Sequence, residues 1–431
     1  MAKLAIHKTH QNLAEDDTDT PMSLKPEPVH KLHASEPLPI DDDVSRNSIS
    51  TTTESAQNNA KMAKGTVLVQ KFILSISKRD ELKPDVDADF KDNLRQAEEA
   101  IKCEIYPELI PAGSSGSYFV RNKGGEFLAV FKPKDEEPFA SLNPKWPKFF
   151  QRILCFCCFG RACLIPNNGY LSETGASLLD DRLKLGIVPK TRLVKLTSPT
   201  FSYNKRCGQK REISPKEGSY QIFVHGYRPA TEVFAEWNDK GISNVLTDAE
   251  QHEFTVYFQK LVVLDYLIRN TDRHMDNWLI KHIPGKELKI AAIDNGLAFP
   301  VKHPETASRF RQFPFGWSTL TWAKKKWEKE LTDHFLSLLT PKNVHFLCQD
   351  LKALFKHGSS NSQLINNQLR VFRGQVWNLV DSMRHNESPF ELSKRTPVLL
   401  ARRYLTTIPN TNNWRDWYKL KEMDYSNRAC C

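Results

Sequence analysis

The sequence predicts an α+β fold behind a disordered N-terminal tail. Three observations carry that prediction. Apolar residues on either side of an Asn122-Lys-Gly-Gly125 turn mark a hairpin over 118–134. Phe254, Phe258, Leu261, Leu264 and Ile268 recur every three or four residues, the spacing of one helix face. Two short apolar runs, 278–281 and 288–293, then flank a Pro284-Gly285 turn and read as a second hairpin. A chain of 431 residues can hold one large domain, or two lobes plus tails.

In chain order, residues 1 to about 65 read as disordered, because Ser, Thr, Asp, Pro and Asn dominate and apolar residues are isolated. The stretches Asp41-Asp42-Asp43 and Thr51-Thr52-Thr53 add low complexity. The tail is either passive or a carrier of sorting and phosphorylation signals. Leu94, Ala97, Ile101 and Ile105 then mark an amphipathic helix near 88–105.

The run Pro111-Ala112-Gly113-Ser114-Ser115-Gly116-Ser117 leads into the first hairpin, whose second strand ends in Lys132. Small residues let backbone amides approach phosphate oxygens, and Ser hydroxyls add donors. A bare Gly/Ser turn is most often only a turn. The Val-Phe-Lys strand ending makes a nucleotide lid the preferred reading, with Lys132 reaching α- and β-phosphates. The pattern is neither a Walker loop nor G-x-G-x-x-G.

From Leu142 to Cys163 aromatics alternate with Lys145, Lys148, Arg152 and Arg161, and Cys155, Cys157 and Cys158 cluster. Cys-x-Cys-Cys gives poor tetrahedral geometry, and no second ligand pair for zinc is evident. Attachment to a membrane surface fits better. Aromatics would sit at the interface, cations would meet anionic headgroups, and thioesters on the three cysteines would anchor the chain. A buried apolar segment with free thiols remains the other reading. Residues 218–227 form a short apolar strand ending in a Gly turn. Between two kinase-like halves it would be the hinge that holds adenine.

The helix at 254–268 delivers Asp272 into a polar loop, and the second hairpin brings Asp294 back toward it. Phosphoryl transfer needs positioning and charge neutralisation more than covalent help. One Asp can orient the attacking hydroxyl. Asn277 and Asp294 can hold magnesium through hard oxygen ligands. An isolated loop Asp is usually a cap or turn residue; the order Asp-x-x-x-x-Asn, hairpin, Asp-x-Gly follows the kinase arrangement. Beyond 299, Phe310, Phe313, Phe315, Trp317, Trp322 and Trp327 lie among Arg309, Arg311 and Lys324–Lys326. They suggest a second membrane-facing patch, with packing of a helical lobe as the competing reading. Periodicities near 328–356 and 363–384 predict helices, and Trp414 to Cys431 reads as a polar, frayed end.

Composition sets the frame. A net charge of +10 makes an acidic partner plausible, whether nucleic acid, anionic lipid or nucleotide; simple solubility explains it as well. No run of 18 apolar residues exists, so no spanning helix is expected. The N-terminus lacks the apolar core of a signal peptide. Nine cysteines without regular spacing suggest a reduced, cytosolic chain.

Taken together, Ser114-Ser-Gly-Ser-Tyr-Phe, Val130-Phe-Lys-Pro-Lys, Leu142-Asn-Pro-Lys-Trp, the cysteine cluster, Gly169-Tyr-Leu-Ser-Glu, Val262-Val-Leu-Asp-Tyr, Arg269-Asn-Thr-Asp-Arg, Asp276-Asn-Trp-Leu-Ile-Lys and Ala291-Ala-Ile-Asp-Asn-Gly-Leu-Ala-Phe-Pro resemble a type II phosphatidylinositol 4-kinase over roughly 88–390. The resemblance implies a two-lobed protein-kinase-like (phosphoinositide kinase) fold, ATP and Mg2+. It implies phosphatidylinositol as substrate and an anionic membrane surface as partner, with no nucleic acid. It further implies palmitoylation and residence on the trans-Golgi network, endosomes and plasma membrane, with trafficking adaptors on the tail. The expected parts are a tail at 1–65, an N-lobe at 88–225, a C-lobe at 226–390 and a C-terminal tail at 391–431.

Carried onto this chain, the resemblance assigns 111–117 to the lid and Lys132 to the phosphates. Gln221, Ile222, Phe223 and Val224 become the adenine hinge, Asp272 the catalytic-loop Asp, and Asn277 and Asp294 the metal ligands. Two departures stand out. The cluster Leu154-Cys155-Phe156-Cys157-Cys158 replaces the family's Cys-Cys-Pro-Cys-Cys, so one acylation site and a Pro turn are missing. His274 differs from the usual family residue and, as in phosphatidylinositol 3-kinases, offers an alternative base. Cys430-Cys431 is similar to prenylated endings. The rival readings are a protein kinase, against which no His-Arg-Asp, Asp-Phe-Gly or Ala-Pro-Glu occurs, and an inactive acylated scaffold, against which Lys132, Asp272, Asn277 and Asp294 all stand.

Overall fold

The hairpin expected around Asn122–Gly125 forms at the centre of a five-stranded antiparallel sheet. A computed structural model describes residues 88–138, 140–145, 162–203, 213–304, 313–404 and 407–422. The expected tail at 1–65, the cysteines at 155, 157, 158, 430 and 431, and Arg309, Phe310 and Arg311 lie outside the described residues. The strands are β1 (Glu108–Leu109), β2 (Tyr118–Arg121), β3 (Phe127–Pro133), β4 (Thr191–Leu196) and β5 (Lys216–Ile222), in the order β1-β2-β3-β5-β4. Tyr118 pairs with Phe131, so the start of β2 and the end of β3 share one end of the sheet. The 111–117 loop therefore lies beside Lys132, at the opposite end from the Asn122–Gly125 turn.

Helix α1 (Ala88–Lys102) buries Phe90, Leu94, Ala97 and Ala100. Phe90, Leu94 and Ala97 form a small core with Tyr118, Val120, Phe131 and Tyr220. Helix α2 (Gly169–Leu183) follows and is buried on nearly every face. Its Tyr170, Leu171, Ala176, Leu179 and Leu183 belong to the larger, helical core instead. Helices α3 (Ala230–Lys240), α4 (Asp248–Ile268), α5 (Lys329–Leu338), α6 (Pro341–Phe355), α7 (Ser362–Arg384) and α8 (Pro389–Lys394) make that core. A capping box between Thr247 and Glu250 starts α4 six residues before the apolar stripe does.

The second predicted hairpin is β7 (Trp278–Ile283) with β8 (Glu287–Ala292), joined at the edge by β6 (Arg228–Pro229). Its register runs Trp278↔Ala292 to Ile283↔Glu287. Two expectations are corrected. Phe313, Phe315, Trp317, Trp322 and Trp327 are all buried, while Lys324, Lys325 and Lys326 are exposed. Trp322 packs against Phe234 and Phe254, so these rings build the lobe and do not face a membrane. The end is not frayed from Trp414: β9 (Val398–Arg402) and β10 (Tyr418–Glu422) pair, and Trp414 and Trp417 are buried. No helix among the described residues is long and apolar enough to cross a membrane.

Candidate active site

Lys132 sits on β3 opposite Ser219. The neighbouring Gly218 lets β5 come close: a Cβ there would lie 2.3 Å from the Lys132 carbonyl oxygen. From this fixed backbone the Lys132 ammonium reaches two carboxylates. Its Nζ is 2.5 Å from Glu173 Oε1 and 3.0 Å from Asp294 Oδ1. Burial alone would lower this ammonium, but Asp294 and Glu173 outweigh it and the net shift is upward. The Lys132 charge holds Asp294 below the usual carboxylate range, against the opposing effect of burial. Both groups are therefore ionised at neutral pH.

Glu173 is buried and does two jobs. One oxygen takes Lys132; the other accepts the Asn295 N–H at 3.0 Å, beside Asp294. Helix α2, which carries Glu173, has its N-terminus held by Glu137. That carboxylate accepts the N–H groups of Gly169 at 3.0 Å and Tyr170 at 2.8 Å, two donors a helix start leaves open. Burial pushes the Glu137 carboxyl up to about 7, and the two N–H donors oppose the rise.

A buried ion pair ties the loop after α4 back to that helix, and the same arginine ties it to the end of β8. Arg269, in the left-handed conformation at φ 45°, ends the helix. Arg273 meets Asp265 at 3.0 Å, and both side chains are fully buried. Its guanidinium also donates to the carbonyls of Asn277 and Ile293 and to the Asn295 side chain. Asp265 accepts Trp317 Nε1 as well, at 3.1 Å. Thr271 donates through N–H and hydroxyl to the Leu297 carbonyl. These bonds bring the segment with Asp272 and Asn277 against the segment with Asp294. Gly316 then crosses the loop so closely that a Cβ would stand 2.3 Å from the Arg273 carbonyl oxygen.

Within the loop, Asp272 is fixed at both ends of its backbone. Its N–H donates to Asn270 Oδ1 at 2.9 Å. Its carbonyl accepts the His274 N–H at 2.9 Å and Asn277 Nδ2 at 2.8 Å. That spends the Asn277 amide nitrogen and leaves Oδ1 as the oxygen that could take a metal. Asp294 adds a half-exposed carboxylate. No group of three or more His, Cys, Asp or Glu side chains forms a metal cage among the described residues. An amide oxygen and a half-exposed carboxylate are hard donors of the kind Mg2+ takes, an ion that keeps waters and takes substrate phosphates as further ligands. His274 is exposed, with Nδ1 3.7 Å from Asp276 Oδ2.

The predicted hinge divides. Gln221 is buried and its Nε2 donates to Thr191 Oγ1 at 3.0 Å. The N–H groups of Ile222 and Phe223 serve the carbonyls of Lys190 and Leu128. Val224 is the first of the four whose N–H makes no hydrogen bond among the described residues. Lys145, expected to meet lipid headgroups, instead holds the carbonyls of Ala112 and Gly113. Sequence reasoning assigned no role to Glu173, Glu137, Asp265 or Arg273. The signal for Glu173 was present in Gly169-Tyr-Leu-Ser-Glu, because a kinase lysine is paired by a helix glutamate. Replacing Glu173 by Gln should lower kcat/KM for ATP by about 10–100-fold. Lys132 then keeps one charged partner instead of two, and hydrogen bonds to charged groups contribute about 1.5–3 kcal/mol. Steady-state kinetics with ATP varied checks it, and an unchanged value would remove Glu173 from the site.

The family described as phosphatidylinositol 3- and 4-kinase matches residues 113–374. Phosphatidylinositol 4-kinase type 2-beta of Gallus gallus is 42% identical over 356 residues, covering 73% of each chain. The type 2-alpha protein of Xenopus laevis is 43% identical over 352 residues, again 73% of each. The type 2-alpha protein of Danio rerio is 42% identical over 353 residues, 73% of this chain and 77% of that one. Among solved structures, a hydra Fam20 with sugar aligns at a TM-score of 0.34 and 11% identity, over 67% of this chain and 88% of that chain. With the family matching more than half of its length and these relatives about 42% identical over 73% of it, the chain belongs to the phosphatidylinositol 3- and 4-kinase family, as a phosphatidylinositol 4-kinase of type 2.

Proposed function

We propose that the chain transfers the γ-phosphoryl of ATP to the 4-hydroxyl of phosphatidylinositol on intracellular membranes. The Lys132–Asp294 ion pair, 3.0 Å across the site between residues far apart in sequence, is the observation that carries this reading. Lys132 binds the α- and β-phosphates, the 111–117 loop covers them, and the Val224 N–H meets the adenine edge. Asn277 Oδ1 and Asp294 would hold Mg2+, which would supply neutralisation of phosphate charge when bound. Asp272 orients the inositol hydroxyl and takes its proton as the new P–O bond forms. The bond from the γ-phosphorus to the bridging oxygen breaks, and ADP leaves. Labelled ATP with mixed phosphoinositide vesicles tests the reading. Label in phosphatidylinositol 4-phosphate is expected; label in another ring position, or in protein alone, overturns it.

Attachment is proposed to rest on thioesters at Cys155, Cys157 and Cys158, on trans-Golgi and endosomal membranes. Each buried methylene contributes about 0.8 kcal/mol, so one or two palmitoyl chains exceed what a few interfacial aromatics supply. Changing all three cysteines to Ser should turn a detergent-requiring protein into one released by high salt, since the remaining attraction is between cations and anionic lipid. Fractionation of membranes checks this. A triple variant that still needs detergent moves the anchor to Cys430 and Cys431.

A further inference from the structure

We propose that Asn143 and Lys145 are positioning residues that shape the 112–115 backbone into an anion cradle, which rests on the reading of 111–117 as the phosphate-holding loop. Lys145 Nζ lies 2.6 Å from the Ala112 carbonyl oxygen and 3.2 Å from that of Gly113. Asn143 Nδ2 donates to the Ser114 carbonyl at 3.0 Å. Three successive carbonyls are thus gathered by two side chains that come from beyond β3, about thirty positions along the chain.

The consequence follows from peptide geometry. In a trans peptide the C=O of one residue and the N–H of the next point in opposite directions. Holding the carbonyls of Ala112, Gly113 and Ser114 on one side turns the N–H groups of Gly113, Ser114 and Ser115 to the other. Those three N–H groups make no hydrogen bond among the described residues. Successive N–H groups facing one side form a concavity that binds anions. The neighbouring Gly116 N–H is different: it donates to the Glu136 carbonyl at 2.8 Å and anchors the loop. Gly113 has φ 78°, which only glycine adopts without strain, so the turn is built into the sequence.

The two positioning side chains are themselves fixed. Asn143 is buried; its Nδ2 also reaches the Glu137 carbonyl at 3.1 Å, and its Oδ1 accepts the Lys145 N–H at 2.7 Å. Pro144 between them is packed against the loop, since a Cβ on Gly116 would stand 3.2 Å from its ring. Lys145 is half-buried and has carbonyls, not a carboxylate, as partners among the described residues. Its charge sits behind the peptide planes and reinforces their dipoles toward an anion on the other side.

The test measures binding of ADP and of adenosine to the full chain by calorimetry with Mg2+ present. Lys145→Met should weaken ADP about tenfold, the equivalent of about 1.4 kcal/mol, and leave adenosine unchanged. Lys145→Arg should restore most of the ADP affinity. Asn143→Ala, which removes no charge, should also weaken ADP selectively. Unchanged ADP affinity in both variants overturns the proposal, as do equal losses for ADP and adenosine. If Lys145→Met weakens ADP and Asn143→Ala does not, Lys145 contacts phosphate directly and the positioning role is overturned. Ser115→Pro deletes one cradle N–H and separates the layers. If it leaves ADP binding intact, the loop reading fails together with the proposal. If it weakens ADP while the Asn143 and Lys145 variants do not, only the proposal fails.

Discussion

Replacing Asp294 by Asn is expected to lower kcat about a thousandfold or more, the scale of losing a group aimed at charge that develops in the transition state. The backbone should tolerate the change. Asp294 lies at φ 51°, in the left-handed region that Asn enters readily. The loss is then one of charge. Lys132 faces Asp294, as the proposed Mg2+ would, and a neutral amide keeps an oxygen but no charge for either. The stability cost should be small. The folded carboxyl is depressed, so its contribution is present above the unfolded value of about 3.9 and is lost as pH falls through the folded one. The side chain is 55% exposed, which screens that contribution. Thermal melts at pH 7 should therefore nearly coincide while turnover disappears. Substantial turnover by the purified variant would remove Asp294 from both roles.

That site was legible in the sequence where chemistry limits the choice of residue. Lys132 near the end of β3, Asp272 and Asn277 between α4 and β7, and Asp294 just past β8 stand at the places in the fold that their spacing predicts. The residues that orient them were not legible, because their partners are known only once the chain has folded. Glu173 meets Lys132 across 41 positions, and the Gly169-Tyr-Leu-Ser-Glu motif that carries it does not by itself say which lysine it pairs. Helix α2 hid for the same reason: buried on nearly every face, it shows no apolar stripe. Helix α4 is also buried all round from Leu261 to Ile268, but the three- and four-residue spacing of Phe254, Phe258, Leu261, Leu264 and Ile268 announces it. The aromatics from Phe313 to Trp327 misled through their neighbours. Interleaved cations suggested a surface, whereas the rings turn inward and the lysines outward. At the C-terminus, Trp414 and Trp417 are anchors inside a polar segment, and Trp417 Nε1 is tied to the Thr411 carbonyl at 2.9 Å.

Asp272→Ala and His274→Ala are expected to differ widely, and the reason is preorganisation. Asp272 has its N–H and its carbonyl committed to Asn270, His274 and Asn277, so its side chain leaves a rigid backbone. His274 stands 55% exposed beside a carboxylate that is itself 67% exposed. Among the described residues no hydrogen bond holds the ring in place. Losing a positioned acid–base group costs about 10²–10⁴-fold, which is the range expected for Asp272→Ala. His274→Ala should cost less than about tenfold. The pH profile adds a second readout that a merely structural residue would not move. A base at His274 would be read as an acidic limb of kcat/KM that is lost with the ring. We expect His274→Ala to leave the acidic limb of kcat/KM where it is. Should His274→Ala match Asp272→Ala in rate, with folding intact and the limb abolished, proton acceptance belongs to His274, and Asp272 keeps only the part of fixing the loop.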